Sequence, residues 1–170
     1  GAAIFNEGSI YSVIESCRFS RNDCQLDQGS HNNCGALSAT YPSNLSIGGK
    51  ASLLISNSAF SDNATIHAVF TSGTPTVIRN SIFSSNSASS TTSETSFIRA
   101  DDAPLTMVNS VLNGCQTTDP GAGLEISGDF PISIGNSSFS TRDSASCPGI
   151  KVLKGLASIK SEIGQRWPMT

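Results

Sequence analysis

The best local candidate for catalysis in this sequence is the run Arg99-Ala100-Asp101-Asp102, which sets a guanidinium group beside two carboxyl groups. Enzymes that act on acidic polysaccharides need clustered carboxylates on one face of the fold, often with Ca²⁺ or with basic residues that activate the sugar. The chain is repetitive, and no second acidic group recurs at the offset of Asp101 and Asp102 in the neighbouring repeats. We therefore interpret both aspartates as turn residues, and we expect no catalytic site.

The two histidines are the next candidates for chemistry, as metal ligands or as acid–base groups. His31 lies in the polar stretch 27–33, and His67 flanks an apolar stretch. Neither histidine has a Cys, His or Asp at an interval typical of zinc ligands. We expect both to be surface loop residues, and we expect no metal site and no cofactor.

The cysteines offer redox chemistry at five positions: Cys17, Cys24, Cys34, Cys115 and Cys147. An odd number permits at most two internal disulfides and leaves one thiol over. Cys24 and Cys34 bracket a polar loop, and a bridge between them would stabilise the fold by roughly 3 kcal/mol in the chain-entropy model. Cys115 and Cys147, one repeat apart, are the second candidate pair. The alternative is that these cysteines are free, buried thiols.

Three Asn-x-Ser/Thr sequons begin at Asn44, Asn63 and Asn136 and are candidates for glycosylation. Together with the cysteines and the high Ser and Thr content, they favour an extracellular or cell-surface location. Serine-rich chains also generate sequons by chance. Asn44 lies in an insertion at 40–49 and is the site most expected to carry a glycan. Asn63 and Asn136 coincide with repeat positions, and an internal ladder would sequester Asn136.

Composition excludes some classes of partner. Charged residues make up 14% of the chain and the net charge is −3, so there is no electrostatic case for nucleic acid. No apolar run approaches the roughly 20 residues that a membrane span needs, and we expect none in this chain. The sequence starts at Gly1 without an initiating Met or a signal peptide, so we expect a mature fragment or an excised piece of a longer chain.

These residues must be positioned by a chain built from copies of the pattern Ile-x-Asn-Ser-x-Phe-Ser-x-Asn. The pattern occupies residues 55–63 and 78–86, with a looser copy at 14–22 and degenerate copies at 107–112 and 134–139. A repeat of this kind indicates one structural unit that is copied and stacked. Most of its prominent residues are therefore expected to belong to the scaffold.

Three short apolar stretches follow one another in each repeat, bounded by Asn, Ser and Gly, which is typical of strands and turns. The offset from the first stretch to the Phe position is 14 or 15 residues in four repeats, and 23 in the repeat with the insertion 40–49. This predicts an all-β fold, a right-handed parallel beta-helix over residues 1–152, with about five to six coils and three short strands per coil. An antiparallel beta-sandwich is the alternative, but it does not require strand triplets at a fixed offset.

Equivalent residues of successive coils lie above one another in such a fold. We expect an interior stack, mostly aromatic, formed by Phe19, Phe60, Phe83, Leu112 and Phe139. Asn tolerates left-handed backbone, and its amide can bond the copies above and below. We therefore expect a ladder at one turn, formed by Ser16, Asn57, Asn80, Asn109 and Asn136.

Two motifs of the repeat resemble those of a known family. Phe-x-x-Asn is matched by Phe19…Asn22, Phe60…Asn63 and Phe83…Asn86, and Gly-Gly-Ala-Ile is approximated by Gly1-Ala2-Ala3-Ile4 and Gly35-Ala36-Leu37. Their alternation resembles the repeats of the chlamydial polymorphic outer membrane proteins over roughly residues 1–152. Leu112…Cys115 and Phe139…Arg142 depart from the pattern. The resemblance implies a secreted or surface-displayed beta-helix that acts as an adhesin or a structural stalk.

The composition changes in the C-terminal tail, residues 153–170, which becomes basic. Its apolar residues fall near helical spacing at Leu153, Leu156, Ile159, Ile163 and Trp167. We expect either a short helical cap over the last coil or an uncapped end that starts a following segment.

The function predicted from these features is a non-catalytic, extracellular structural or adhesive module, a fragment of a larger cell-surface or fibre-forming protein. The partners expected are further copies that stack end to end, other surface proteins, or glycans. One alternative is a polysaccharide-active beta-helix enzyme, a lyase or a hydrolase. Another is a glycan-binding module that uses the insertion at 40–49.

Overall fold

The computed structural model describes residues 3–8, 11–23, 35–41, 52–86, 96–115, 122–141, 150–154 and 158–161. Every regular element in these ranges is a β-strand, and the strands form three sheets. No helix in the same ranges is long and apolar enough to cross a membrane.

The strands occur in triplets along the chain, and each member of a triplet belongs to a different sheet. Sheet A contains β1 (Ile4–Glu7), β4 (Gly35–Thr40), β7 (His67–Ser72), β10 (Ser96–Asp101), β13 (Ala122–Ser127) and β16 (Ile150–Lys154). Sheet B contains β2 (Tyr11–Glu15), β5 (Ser52–Ser56), β8 (Thr76–Arg79), β11 (Leu105–Val108), β14 (Pro131–Gly135) and β17 (Ser158–Ser161). Sheet C contains β3 (Arg18–Ser20), β6 (Ala59–Ser61), β9 (Ile82–Ser84), β12 (Val111–Cys115) and β15 (Ser138–Thr141).

Each strand pairs in parallel with the equivalent strand of the next coil, as in Leu37 opposite Val69 in sheet A and Phe60 opposite Phe83 in sheet C. The described residues therefore make five complete coils and two strands of a sixth. This confirms the prediction of a parallel beta-helix with three strands per coil. The alternative of an antiparallel sandwich is excluded.

The core lies inside the coil because alternate residues of each strand point inward. In β8, Thr76 and Ile78 are buried, whereas Val77 and Arg79 are exposed. The same alternation in sheet C buries the predicted aromatic positions. The rings of Phe19 and Phe60 stack at 4.7 Å, and those of Phe60 and Phe83 stack at 4.8 Å. Leu112 and Phe139 continue this column in register.

The three corners of the coil are formed by residues with left-handed backbone. Between sheets B and C these residues are Ser16 and the asparagines at 57, 80, 109 and 136, with φ between 43° and 54°. Between sheets A and B, Gly128 has φ 107°, and a Cβ there would meet the Asp102 Oδ1 at 2.6 Å. Glycine is required at position 128 because the backbone conformation and the nearby Asp102 side chain both exclude a Cβ there.

The tail differs from the helical expectation at Ser158–Ser161, which forms β17 and pairs in parallel with β14. Ile159, one of the residues at helical spacing, lies opposite Ile132. The open edge of β14 presents unpaired N–H and C=O groups, which a strand can satisfy and a helix cannot. The beta-helix therefore extends past the predicted boundary at residue 152. Residues 162–170, with Ile163 and Trp167, lie outside the described residues.

Candidate functional site

The run Arg99 to Asp102 lies at the end of β10 and at the corner that follows it. The charged side chains of its strand part lie on the outer face of sheet A. Ile98 and Ala100 belong to the buried core, so alternation along the strand places Arg99 and Asp101 on the opposite face. The Arg99 Nε–H donates to both carboxylate oxygens of Asp101, each at 3.1 Å. Asp102 follows at the corner with φ 53°. The two aspartates therefore have different roles, because Asp101 forms an ion pair in the strand and Asp102 forms the turn.

An additional carboxyl group from the next coil lies beside this ion pair in the register of sheet A. Glu125 of β13 lies opposite Arg99 in the register of sheet A, and its side chain is 0% exposed. The side chains of Arg99 and Asp101 are 15% and 19% exposed. Asp101 itself lies between Ser72 and Ser127, so no acidic group recurs at its own offset. Glu125 was not among the predicted site residues, although the alignment of Ile98 with Leu124 puts Glu125 one residue further on, opposite Arg99.

His67 belongs to the same face, and the prediction that it lies in a surface loop is wrong. It is the first residue of β7, opposite Gly35 and Ser96, and it is 3% exposed. Its Nδ1 lies 2.9 Å from the Ser96 Oγ, and its ring stacks on Phe70 with centroids 5.8 Å apart. The strand formed by the apolar stretch therefore begins at His67 and not after it. His31 lies outside the described residues.

The surroundings of His67 strongly disfavour its charged form. The pKa of His67 is lowered from 6.5 to about 3, mainly by burial and in addition by the positive charge of Arg99. The hydrogen bond with Ser96 acts in the opposite direction but does not offset the burial. His67 is therefore neutral at every pH at which a protein normally works.

We define the sheet A polar cluster as His67, Ser96, Arg99, Asp101 and Glu125. A serine nucleophile needs an accessible hydroxyl and a base that accepts a proton near neutral pH. Ser96 is 5% exposed, and His67 with a pKa of about 3 is a weak base. Over the described ranges, no group of three or more His, Cys, Asp and Glu residues could hold a metal ion. The cluster thus combines the buried, hydrogen-bonded pair His67 and Ser96 with the partly exposed ion pair of Arg99 and Asp101.

The second polar feature is an exposed ladder of amides at the corner between sheets B and C. The Asn80 Nδ2 donates to the Asn57 Oδ1 at 3.2 Å, and the Asn109 Nδ2 donates to the Asn80 Oδ1 at 3.3 Å. The Asn136 Nδ2 donates to the Asn109 Oδ1 at 2.7 Å. Ser16 occupies the same corner in the first coil with φ 54°. We call these four asparagines the outer ladder, since all of them are exposed.

The residue after each of these asparagines points inward and forms a second series, the serine ladder, at Ser58, Ser81, Ser110 and Ser137. Each backbone N–H donates to the Oγ of the next coil, for example from Ser58 to Ser81 at 3.2 Å and from Ser110 to Ser137 at 3.1 Å. Each Oγ–H donates to the carbonyl two residues earlier, as from Ser81 to Arg79 at 2.9 Å. In each Asn-Ser pair the Asn therefore lies at the surface and the Ser lies in the interior.

The Asn of the Phe-x-x-Asn motif forms a third series, which we call the inner asparagine stack: Asn22, Asn63 and Asn86. The Asn63 Nδ2 donates to the Phe19 carbonyl at 3.2 Å and to the Asn86 Oδ1 at 2.8 Å. The Asn63 Oδ1 accepts from the backbone N–H and the Nδ2 of Asn22. Sequence analysis did not assign this position to the interior, although the motif places it three residues after the buried Phe.

The three sequons lie in different settings. Asn63 is 0% exposed and is hydrogen-bonded on both sides, which leaves no path for a glycan in the folded protein. Asn136 is exposed, because the ladder that contains it faces solvent. The expectation that an internal ladder would sequester Asn136 therefore does not apply, because the ladder is external. Asn44 and most of the insertion at 40–49 lie outside the described residues.

The cysteines can be placed only in part. Cys24, Cys34 and Cys147 lie outside the described residues, and only the backbone of Cys115 is described, so both expected pairings stay predictions. Cys17 is free and exposed. It occupies the first position of the serine ladder, where its backbone N–H donates to the Ser58 Oγ at 3.2 Å.

Comparison of the chain with models of known protein families, with curated proteins and with solved structures gave no match. The class that the described residues define is a parallel beta-helix with polar ladders at its corners.

Proposed function

We propose that this chain is a non-catalytic, extracellular structural or adhesive module, part of a larger cell-surface or fibre-forming protein. The observation that carries this proposal is the use of the repeated Asn-Ser pair. Its Asn bonds the neighbouring coil at the surface, and its Ser bonds the neighbouring coil in the interior. The polar pair that recurs in the second to fifth coils thus serves to hold one coil on the next.

This use of polar side chains suits a load-bearing rod. A net contribution of about 0.5–1.5 kcal/mol per hydrogen bond is typical, and it adds to the parallel backbone pairing at each step between coils. In a repeat protein each coil contacts only its neighbours, so stability grows with the number of interfaces. The outer ladder, the serine ladder and the inner asparagine stack are all oriented along the stacking direction.

The adhesive part of the proposal rests on apolar side chains at the outer faces of sheets B and C. Val13 and Val77 are exposed on sheet B, and Ile82 and Val111 are exposed on sheet C. Exposed aliphatic groups on flat sheet faces are typical of surfaces that contact other proteins. The resemblance of the Phe-x-x-Asn repeats to those of the polymorphic outer membrane proteins agrees with display at a cell surface.

Two parallel assays test the proposal. Beads coated with the chain are measured for adhesion to cells, to immobilised glycans and to beads that carry the same chain. The uncoupled chain is incubated with acidic and neutral polysaccharides, and new reducing ends and unsaturated uronates are measured. We expect adhesion above that of albumin-coated beads, reduced in the Val77→Ser/Ile82→Ser variant, and no turnover. Absence of adhesion to all three targets would contradict the proposal.

The second candidate is a polysaccharide-active enzyme, and the sheet A polar cluster is the observation that favours it. Arg99, Asp101 and Glu125 bring one guanidinium and two carboxyl groups from neighbouring coils to one face. Turnover that is lost in Arg99→Ala and in Glu125→Gln would establish this candidate and refute the first. The glycan-binding alternative depends on the insertion at 40–49, and glycan binding without turnover would support it.

A further inference from the structure

His67 and Ser96 are the first residues of two neighbouring strands, β7 and β10, at the corner where the chain enters sheet A. The Ser96 backbone N–H donates to the Ile66 carbonyl at 3.0 Å, and the Ser96 Oγ lies 2.9 Å from the His67 Nδ1. These two contacts join the third and fourth coils at this corner. The Phe70 ring covers one side of the imidazole.

The charged groups that face His67 from the described strands do not favour its protonation. The strand β4 on one side contains no titratable residue, and β7 contributes only His67 itself. On the other side, β10 contributes Arg99 and Asp101, which are paired with each other at 3.1 Å. Glu125 of β13 lies one coil further away, opposite Arg99. A proton on His67 would create a buried cation next to the Arg99 guanidinium.

We propose that His67 is an acid-sensitive latch, which holds the starts of β7 and β10 closed while the imidazole is neutral and lets these two strand ends open in mild acid. The proposal is independent of the function proposed above. It concerns a local opening of sheet A at one corner, with sheets B and C of the same coils still paired.

The direction of the pH effect follows from proton linkage. The closed form holds His67 neutral down to a pKa of about 3, whereas an opened strand end restores a pKa near 6.5. Below pH 6.5 the opened form therefore takes up a proton that the closed form does not, and its population rises about tenfold per pH unit. The stabilisation by neutral His67 is fully present above pH 6.5 and is lost progressively as the pH falls towards 3.

The opening is expected to be local because the His67–Ser96 contact holds the strand starts, whereas burial in the core holds the strand centres. Val69 and Ile98, two residues further along each strand, are 0% exposed and belong to the continuous core. Their burial holds the centres of β7 and β10 in place, and strand ends next to a corner open at lower free energy than the core.

Hydrogen exchange of the whole chain, read by mass spectrometry at pH 7.0 and pH 5.0, tests the latch. After correction for the intrinsic exchange rate, we expect opening of the strand starts, which are the first amides of the segments 67–72 and 96–101, to rise about 25-fold at pH 5.0. The segments 76–79 and 105–108 of the same coils serve as internal controls and should change little. His67→Gln keeps a hydrogen-bonding amide but cannot titrate, so its segments should lose this rise.

Two results would overturn the latch. One is the same rise in His67→Gln as in the wild type, and the other is equal acid-induced opening of sheets A and B. If His67→Gln does not fold, NMR titration of the His67 ring in the wild type decides instead. We expect His67 to stay neutral at pH 5, and a His67 midpoint near 6.5 would refute the latch.

Discussion

Asn63 and Asn86, at the same position of successive coils, are joined by two hydrogen bonds to one oxygen. The Asn63 Nδ2 and the Asn63 backbone N–H both donate to the Asn86 Oδ1, at 2.8 Å and 3.1 Å. The Asn86 Nδ2 in turn donates to the Phe60 carbonyl at 3.0 Å. One buried side chain thus binds both the Asn63 N–H and the Phe60 carbonyl of the preceding coil.

Replacement of Asn63 by Ala should therefore destabilise the fold strongly. The change removes the side-chain hydrogen bonds to the Asn22 N–H and to the Phe19 carbonyl and opens a cavity, at a cost of about 3 kcal/mol or more. Asn57→Gly is the matched control, because it removes an exposed amide of the outer ladder and keeps the left-handed backbone. Its cost should stay below about 1 kcal/mol. Urea unfolding measures both, and equal losses would contradict this ranking.

Truncation of Phe60 should be the most costly change in the aromatic column. Phe60 is fully buried between Phe19 and Phe83, and Phe60→Ala should lower the free energy of unfolding by about 3–5 kcal/mol. Phe60→Leu should cost less than about 1.5 kcal/mol, since Leu112 fills the same column two coils further on. Thermal and urea unfolding check the difference, and a Phe60→Leu variant as unstable as Phe60→Ala would argue against a shared column.

Gly128→Ala should destabilise the corner between sheets A and B by about 1–3 kcal/mol. The added Cβ would meet the Asp102 Oδ1 at 2.6 Å in a backbone with φ 107°. Gly114→Ala is the control, because Gly114 has φ 75° but its added Cβ would approach no atom closer than 3.7 Å.

The double variant Asp102→Gly/Gly128→Ala separates steric overlap from backbone strain. Asp102→Gly removes the overlapping side chain, so the double variant should recover the part of the loss that overlap causes. Calorimetry on the four proteins of this cycle measures the coupling. If the two changes have additive effects on the free energy of unfolding, the steric overlap does not contribute to the loss of stability.

Acid should destabilise the wild type more than His67→Gln. The pKa of His67 is lowered from 6.5 to about 3 in the fold, so unfolding takes up one proton between these values. The free energy of unfolding of the wild type should fall, relative to the variant, by about 1.4 kcal/mol per pH unit from pH 6 to pH 4. Urea unfolding at each pH gives this difference, and parallel curves would contradict the buried, neutral imidazole.

Expression in secreting eukaryotic cells should leave Asn63 unmodified in the folded protein and make Asn136 available for a glycan. Asn63 is buried, whereas Asn136 is exposed. Ser138→Ala removes the sequon of Asn136 without removing its amide from the outer ladder, so it should abolish the glycan without loss of stability. Glycopeptide mass spectrometry measures occupancy, and a glycan on Asn63 in folded protein would contradict its placement.

The coil and the stacked Phe and Asn positions could both be predicted from the sequence, because both follow from the period of the repeat. A side chain that stacks on its own copy must recur at the same offset, as Phe60 and Phe83 do. The side of the coil on which each polar residue lies was harder to predict. Left-handed backbone at Asn57 interrupts the alternation, so that Asn57 faces solvent and Ser58 faces the core.

The sheet A polar cluster could be predicted only in part. Arg99 and Asp101 were identified from their neighbourhood in the sequence, but Glu125 joins them through the register of sheet A. His67 was assigned to a surface loop because it flanks an apolar stretch and has no partner at an interval typical of metal ligands. Its burial depends on Phe70 and on the next coil, which local sequence does not reveal.

The ladders also give the stack a direction. In the outer ladder each amide nitrogen donates to the preceding coil, whereas the side-chain oxygens of the serine ladder and the inner asparagine stack accept from the preceding coil. The two edges of any coil therefore present different donors and acceptors. A further coil can reproduce these bonds only if its chain runs in the same sense, so any assembly that continues the stack is a polar filament with two distinct ends.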